Sequence, residues 1–279
     1  MGVRGSSPLG PTSTNTAAIA AVLVLCDTQF NMTMPTVLAE TKEYLILDKP
    51  AGLAVHPVPE RSSVRGKFDF TLTDWLLVNY PEVKGVGEDP VRPGIVHRLD
   101  KGTSGVILVA RTQAAYDFFK QQFIKRSVEK EYLALVWQVP KEQSGIIDAP
   151  LTRSKKGGFR WRVARGLDKN QRPAMTRWQV EKNLVRPASG EASWTLLRLF
   201  PKTGRTHQLR VHCASIGHPI AGDPVYAFKN QPTPPGLKRI FLHAAALTVE
   251  LSDGKKRKFE AKLPQELDGA LDSLGQNYK

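Results

Sequence analysis

Hydrophobic positions along the chain fall into short runs, and those that alternate in twos or run on continuously outnumber those that repeat every three or four residues. From Glu43, YLILDKPAGLAVHP reads as strand, turn, strand, with Pro50-Ala51-Gly52 between two β-rich runs, and ordered structure is expected to begin there. Residues 58–70 read as a surface loop. Thr71 or Thr73 is placed to cap a helix through DWLLVNY, which Pro81 stops. A polar Gly/Pro-rich loop runs to Gly94, and the continuous apolar run GVILVAR (105–111) suits a central strand. Thr112 then caps a helix in which Ala115, Phe118, Phe119 and Phe123 share one face, and EYLALVWQV (131–139) is a further strand.

In the second half, the basic, glycine-containing stretch from Arg153 to Arg172 reads as a flexible loop. The alternating segments AMTRWQVEK (174–182) and ASWTLLRLF (192–200) form a hairpin. THQLRVHCASIG (206–217) reads as a helix with Thr206 near its cap and Gly217 as its stop. IFLHAAALTVEL and KFEAKL give a last strand pair, and a short helix follows Pro264. Strands outnumber helices and mostly follow one another by short connections. The expected fold is therefore α+β: a mixed, mostly antiparallel central sheet flanked by helices.

Residues 1–33 stand apart. Gly2 to Thr16 is low-complexity Gly/Ser/Pro/Thr sequence, followed by an apolar run of nine residues, Ala17 to Leu25. That run falls far short of the ~20 residues that cross a bilayer, and no small-residue cleavage site follows it. These residues read as a disordered N-terminal extension or an upstream start before Met34, and 34–279 as one catalytic domain. Forty Lys and Arg against 26 Asp and Glu give a formal net charge of +14, all of it carried after Met34, because Arg4 and Asp27 cancel. Such a field attracts polyanions, nucleic acid first, although solubility alone accounts for many basic surfaces. With two cysteines, Cys26 and Cys213, neither a disulfide framework nor a Cys-rich zinc site is supported, and a reducing cytoplasm fits best. G-x-G-x-x-G and Walker fingerprints are absent, which removes the usual warrant for a nucleotide cofactor.

Two polar clusters interrupt core-like sequence: HRLDKGTSG (97–105), entering a buried strand, and GRTHQLRVH (204–212), opening a helix. Taken singly, Asp100 reads as a turn carboxylate bonded to nearby amides, and Arg205, His207, Arg210 and His212 as a solvated or phosphate-facing helix start. Together they carry a resemblance. KPAG at 49–52, HRLD at 97–100 with TSG at 103–105, KEY at 130–132, GRTHQLRVH at 204–212, GHPIAGDPVY at 217–226 and LHA at 242–244 occur in the order found in the RluA-type family of RNA pseudouridine synthases. The chain resembles that family over nearly its whole length after Met34, without an evident S4-type RNA-binding module, as in the family's shorter members.

The resemblance implies an isomerase with a basic active-site cleft, in which Asp100 attacks the bound uridine, Tyr132 lies against the target base and Arg210 pairs with the aspartate. A carboxylate can stabilise or trap an electron-poor C1′ without metal or nucleotide cofactor, and a guanidinium in a two-pronged pair keeps it ionised and aimed. A lysine serves less well there. Tyr132 offers a face for stacking and a hydroxyl to accept or relay the C5 proton; the plainer alternative is a core tyrosine. The covalent site, C1′ or C6, is open, with ribose elimination to a glycal favoured for the family. Arg98 fills the space left by the displaced base, or else makes a plain salt bridge. His97 supports the loop. Lys49, Arg205 and His207 complete the RNA-binding set, with Lys49 meeting backbone phosphate.

The expected partner is structured RNA, ribosomal first and transfer RNA second, acted on by a monomer in the cytoplasm, with no membrane. A noncatalytic RNA-binding or RNA-folding protein on the same fold is the alternative from another class, and the presence of Asp100, Tyr132 and Arg210 argues against it. A metal-dependent nuclease would need His and carboxylates at ligand spacing, which the six histidines do not show, so no metal is expected.

Overall fold

The computed structural model describes residues 33–57, 70–154, 160–166, 168, 170–184 and 193–276. The N-terminal extension and most of the surface loop expected at 58–70 lie outside these residues. The strands are β1 (Thr36–Glu40), β2 (Tyr44–Lys49), β3 (Ser104–Ala110), β4 (Glu129–Trp137), β5 (Ser144–Asp148), β6 (Leu151–Arg153), β7 (Trp161–Val163), β8 (Met175–Leu184), β9 (Trp194–Pro201), β10 (Leu242–Glu250) and β11 (Lys256–Glu260). The helices are α1 (Leu72–Asn79), α2 (Gln113–Lys125), α3 (Gln208–Ser215) and α4 (Gln265–Gln276). Nine strands form one sheet in the order β1-β2-β3-β10-β4-β9-β8-β5, with β11 on the later half of β10. All pairs are antiparallel except β3 with β10. The α+β fold with a mostly antiparallel mixed sheet is thus the observed one.

The central strands are apolar throughout because both faces are covered. On β2 and β3, Ile46, Val106 and Leu108 pack with Phe119 of α2, whereas Leu45, Leu47, Ile107 and Val109 pack with Leu72 and Leu76 of α1. On β4 and β9, Ala134, Val136, Leu197 and Leu199 pack with Leu209 of α3, whereas Leu135 and Leu196 pack with Leu267 and Leu274 of α4. Each fully buried Leu, Ile or Phe contributes about 1.5–3 kcal/mol, so these four layers hold the sheet against its helices.

Local signals placed two helices. Thr71 caps α1 in a reciprocal pair with Asp74, and Thr112 accepts from the Ala115 amide to start α2. Other expectations are corrected. Order begins before Glu43, because β1 pairs with β2 as a mostly exposed edge that lacks a strong apolar signal. The second run of YLILDKPAGLAVHP is not a strand: among its residues only Ala54 makes a bridge, to Thr71, and the chain turns instead to hold α1. Phe118 is exposed, and Tyr116 and Gln122 take the buried face of α2 with Ala115 and Phe119. Part of the expected flexible loop from Arg153 to Arg172 is the β6–β7 hairpin, a two-stranded sheet of its own. Helix α3 is led by His207 in a left-handed conformation with no side-chain cap, rather than by Thr206.

Candidate active site

Four adjacent central strands converge on one cleft. The loop before β3 brings Asp100, β4 brings Tyr132, and the turn after β9 brings residues 203–207 and then α3. The cleft has a volume of about 530 Å³, within the size range of sites for small molecules and single nucleotides. Arg98, Asp100, Tyr132, Arg205, His207 and Arg210 all line it. Lys49 does not.

The loop carrying Asp100 is fixed from behind. The Thr103 amide donates to the Asp100 carbonyl at 3.0 Å, and the Gly52 amide of the KPAG turn donates to the Lys101 carbonyl at 2.8 Å. Gly105 has φ +115° and lies where a Cβ would come within 2.2 Å of the Ala244 carbonyl oxygen. Only glycine allows β3 and β10 to meet in parallel at that point. Ser104 accepts from Arg239 Nη2 at 2.9 Å and bonds His243 Nδ1 at 2.9 Å, linking the TSG and LHA motifs. His97 stacks on Phe123, and its Nε2 accepts the Leu108 amide at 2.9 Å. Burial lowers its pKa to about 3, so it is a neutral support for the loop.

The Asp100 carboxylate itself is left for other work. Among the described residues no amide bonds it; its neighbours are Arg210 Nη1 at 3.6 Å and His207 Nε2 at 4.0 Å, both on Oδ2. The two-pronged contact expected between Arg210 and Asp100 is made instead with Asp223: Nε to Oδ2 at 2.8 Å and Nη2 to Oδ1 at 2.7 Å. Asp223, in the GHPIAGDPVY motif, is wholly buried and also accepts the amides of Val225 and Tyr226. Burial opposes its ionisation, but the guanidinium and the two amides outweigh that and hold its pKa below the ordinary value. Gly222 fits there because a Cβ would meet the Arg239 carbonyl oxygen at 2.3 Å. Asp223 thus takes two prongs of Arg210 and leaves the third facing Asp100.

Tyr132 stands between Ala244 of β10 and Leu199 of β9, at the seam of two core layers. Burial, and then the Asp100 charge, raise its phenol pKa well above the ordinary value. The hydroxyl therefore stays protonated: it can relay a proton but is poorly suited to take one as phenolate. Beside it, burial and the nearby Lys202 and Arg126 lower the Lys130 ammonium to about 8, and its Nζ donates to the Thr203 carbonyl at 3.2 Å. Gln208 locks the same turn, accepting the Arg205 amide and the Thr203 hydroxyl.

The expected RNA-facing residues divide. Arg98 is exposed, with Nη1 donating to His56 Nε2 at 2.8 Å, while His56 Nδ1 donates to the Pro57 carbonyl. Arg205 is half-buried and gives Nε to the Pro173 carbonyl at 3.1 Å. Lys49 is corrected: it is 0% exposed, and its ammonium bonds the carbonyls of Pro50 and Leu53 at 2.7 and 2.8 Å. It stitches the KPAG turn under the Asp100 loop and cannot meet phosphate. His212 is likewise internal, bonded to Thr176 and to the Ala149 carbonyl. Asp223, His56, Tyr226 and Lys130 were missed, although Asp223, Tyr226 and Lys130 lie within motifs quoted above. A lone acid between Gly222 and Pro224 in apolar sequence was the signal for Asp223. Among the described residues no three His, Cys, Asp or Glu side chains cluster as metal ligands do.

Comparison with known proteins bears on this geometry. A family model described as RNA pseudouridylate synthase matches residues 43–215. An uncharacterized RNA pseudouridine synthase of Chloroflexus aurantiacus is 40% identical over 228 residues, covering 81% of this chain and 65% of that one. The ribosomal large subunit pseudouridine synthase D of Nitrosomonas europaea is 37% identical over 245 residues, covering 85% and 64%. The chain thus spans a little under two thirds of the length of these two relatives. Among solved structures, human RNA Pseudouridylate Synthase Domain Containing 1 superposes with a TM-score of 0.64 at 25% identity, covering 87% of this chain and 94% of that one.

Proposed function

Since the chain belongs to the RluA-type family of RNA pseudouridine synthases, we propose that it isomerises uridine to pseudouridine in structured RNA, with residues 34–279 as the catalytic unit and Asp100 as the essential carboxylate. The observation that carries this is the Asp100 carboxylate, which no amide bonds among the described residues, lining a cleft of nucleotide size together with Tyr132 and with Arg210 Nη1 at 3.6 Å.

The residues divide the work as follows. The C1′–N1 bond of the flipped uridine breaks, its electron pair leaving on uracil N1, while Asp100 stands against C1′ and takes the C2′ proton to give a glycal. The base turns against Tyr132, C5 bonds C1′ as C2′ regains its proton from Asp100, and the C5 proton is relayed through the Tyr132 hydroxyl to water while a water proton goes to N1. Arg210 faces and orients Asp100 and is itself held by Asp223. Arg98 moves from His56 into the stack that the base vacates, and Arg205 and Lys130 meet phosphates. Ribosomal RNA is the first substrate to test, supported by the name of the Nitrosomonas europaea relative; transfer RNA is the second.

The test is release of tritium from RNA carrying C5-tritiated uridine, without added metal. Release with intact RNA supports isomerisation. Fragmentation indicates a nuclease, and binding without release indicates an RNA-folding protein; either refutes the proposal.

A further inference from the structure

The β6–β7 hairpin stands outside the main sheet, yet it is hydrogen-bonded to the residues around Asp100. The Trp161 amide donates to the Tyr226 hydroxyl at 2.9 Å, and that hydroxyl lies 3.0 Å from His207 Nδ1. His207 Nε2 faces Asp100 Oδ2 at 4.0 Å. The direction of each bond follows from the first. A peptide N–H can only donate, so it occupies one lone pair of the Tyr226 oxygen. The phenolic proton then needs an acceptor, and His207 Nδ1 is the one within reach among the described residues. With Nδ1 accepting, a neutral ring carries its proton on Nε2, pointed at Asp100. His207 is half-buried, and burial holds its pKa below the ordinary value, which keeps that ring neutral. The ring is fixed further by edge packing on Tyr226 at 5.6 Å and 81°, while the Arg210 guanidinium lies 5.1 Å over the same tyrosine. The left-handed backbone of His207, φ 56°, is the sort of conformation retained where position matters.

We propose that Tyr226 and His207 are positioning residues: the docked hairpin sets the His207 tautomer, and the Nε2–H group together with Arg210 Nη1 holds Oδ2 of Asp100, leaving Oδ1 as the oxygen that meets the ribose. This rests on the assignment of Asp100 made above. It goes beyond that assignment in making the two carboxylate oxygens unequal and in giving the hairpin a part in the chemical step. Contacts of 3.6 and 4.0 Å are longer than hydrogen bonds, and catalytic contacts of this kind tighten as the site closes on its substrate.

The experiment uses the full chain. Single-turnover tritium release at saturating enzyme and RNA affinity are measured for Tyr226→Phe, His207→Ala and His207→Gln, the last keeping an N–H donor near the Nε2 position. Loss of a donor to a charged acceptor predicts a chemical step about tenfold or more slower in Tyr226→Phe and His207→Ala, with affinity within about threefold of wild type. His207→Gln should recover more than half of that loss on a logarithmic scale. Nitrogen-15 spectra of histidine-labelled protein should show His207 protonated on Nε2 in wild type and a mixture of tautomers in Tyr226→Phe. A wild type protonated on Nδ1, a wild-type rate in both truncating variants, or a glutamine variant no faster than the alanine one overturns the proposal. Asp100→Asn separates it from the function assigned above: turnover by that variant refutes the role of Asp100, whereas the tautomer measurement is independent of activity.

Discussion

Replacing Arg210 by lysine keeps a positive charge in the site but removes the geometry by which one side chain serves two carboxylates. The guanidinium gives Nε and Nη2 to Asp223 at 2.8 and 2.7 Å and turns Nη1 towards Asp100 at 3.6 Å. At that separation and an effective dielectric constant of about 20, the attraction to Asp100 is about 4–5 kcal/mol. An ammonium seated on Asp223 stands roughly 2 Å farther away, where the same arithmetic leaves about 3 kcal/mol. One charge-assisted hydrogen bond to Asp223 is lost as well, worth about 1.5 kcal/mol. The arrangement in which a guanidinium held on Asp223 faces and aims Asp100 is therefore disfavoured by about 3 kcal/mol, and the chemical step slows by about a hundredfold. Single-turnover tritium release at saturating enzyme measures that step, and filter binding across a salt series measures affinity. Affinity should stay within about threefold, because the head group faces two acids rather than the RNA backbone. A rate within about threefold of wild type, or a defect confined to affinity with a shallower salt slope, would place Arg210 on the phosphate-binding surface and refute the arrangement.

Asp100→Asn should abolish multiple turnover while RNA affinity stays within severalfold, since the amide keeps shape and loses the carboxylate; measurable multiple turnover contradicts the assignment. Gly105→Ala should lower the melting temperature sharply, by several kcal/mol of stability, because its Cβ would lie 2.2 Å from the Ala244 carbonyl at a φ that disfavours side chains; an unchanged thermal transition refutes the close approach of β3 and β10. Lys49→Met should change how stability depends on pH. Burial lowers the Lys49 pKa from 10.5 to about 7, so the unfolded chain binds the extra proton between these values, and this lysine makes stability rise with pH across that window. Denaturant titrations at pH 7 and 10 should show the wild type gaining on the methionine variant, and an equal difference at both pH values would show that Lys49 does not titrate in that window in the folded state.

Local physics was legible in the chain. A threonine that caps a helix bonds an amide three residues on, so Thr71 and Thr112 could be read without knowing the fold. The alternation in β8 and the unbroken apolar run of β3 likewise reported whether one face or two would be covered, whereas β9, expected half-buried, is covered on both faces. The motif HRLDKGTSG singled out Asp100 as the candidate carboxylate, because its neighbours in sequence carry the family pattern. Edge strand β1 and strand β5 were not legible: exposed, half-polar segments acquire their structure from partners elsewhere in the chain.

The sequence by itself thus determined the α+β class, the family resemblance and most of the charged residues that line the cleft, Arg98, Asp100, Arg205 and Arg210. Only the tertiary structure decided which charge meets which. From sequence, Arg210 paired with Asp100 and Lys49 met phosphate; in the fold, Asp223, 13 residues away along the chain, takes two prongs of the arginine, and Lys49 is sealed under the KPAG turn by two carbonyls. The path from Trp161 through Tyr226 to His207 spans 65 and then 19 residues of sequence, beyond any local rule. The physical reason is range. Backbone capping and side-chain periodicity act within a turn or a strand, whereas the partner of a buried charge is whichever group the packed sheet brings within about 3–4 Å, and that is settled only when β3, β10, β4 and β9 lie side by side.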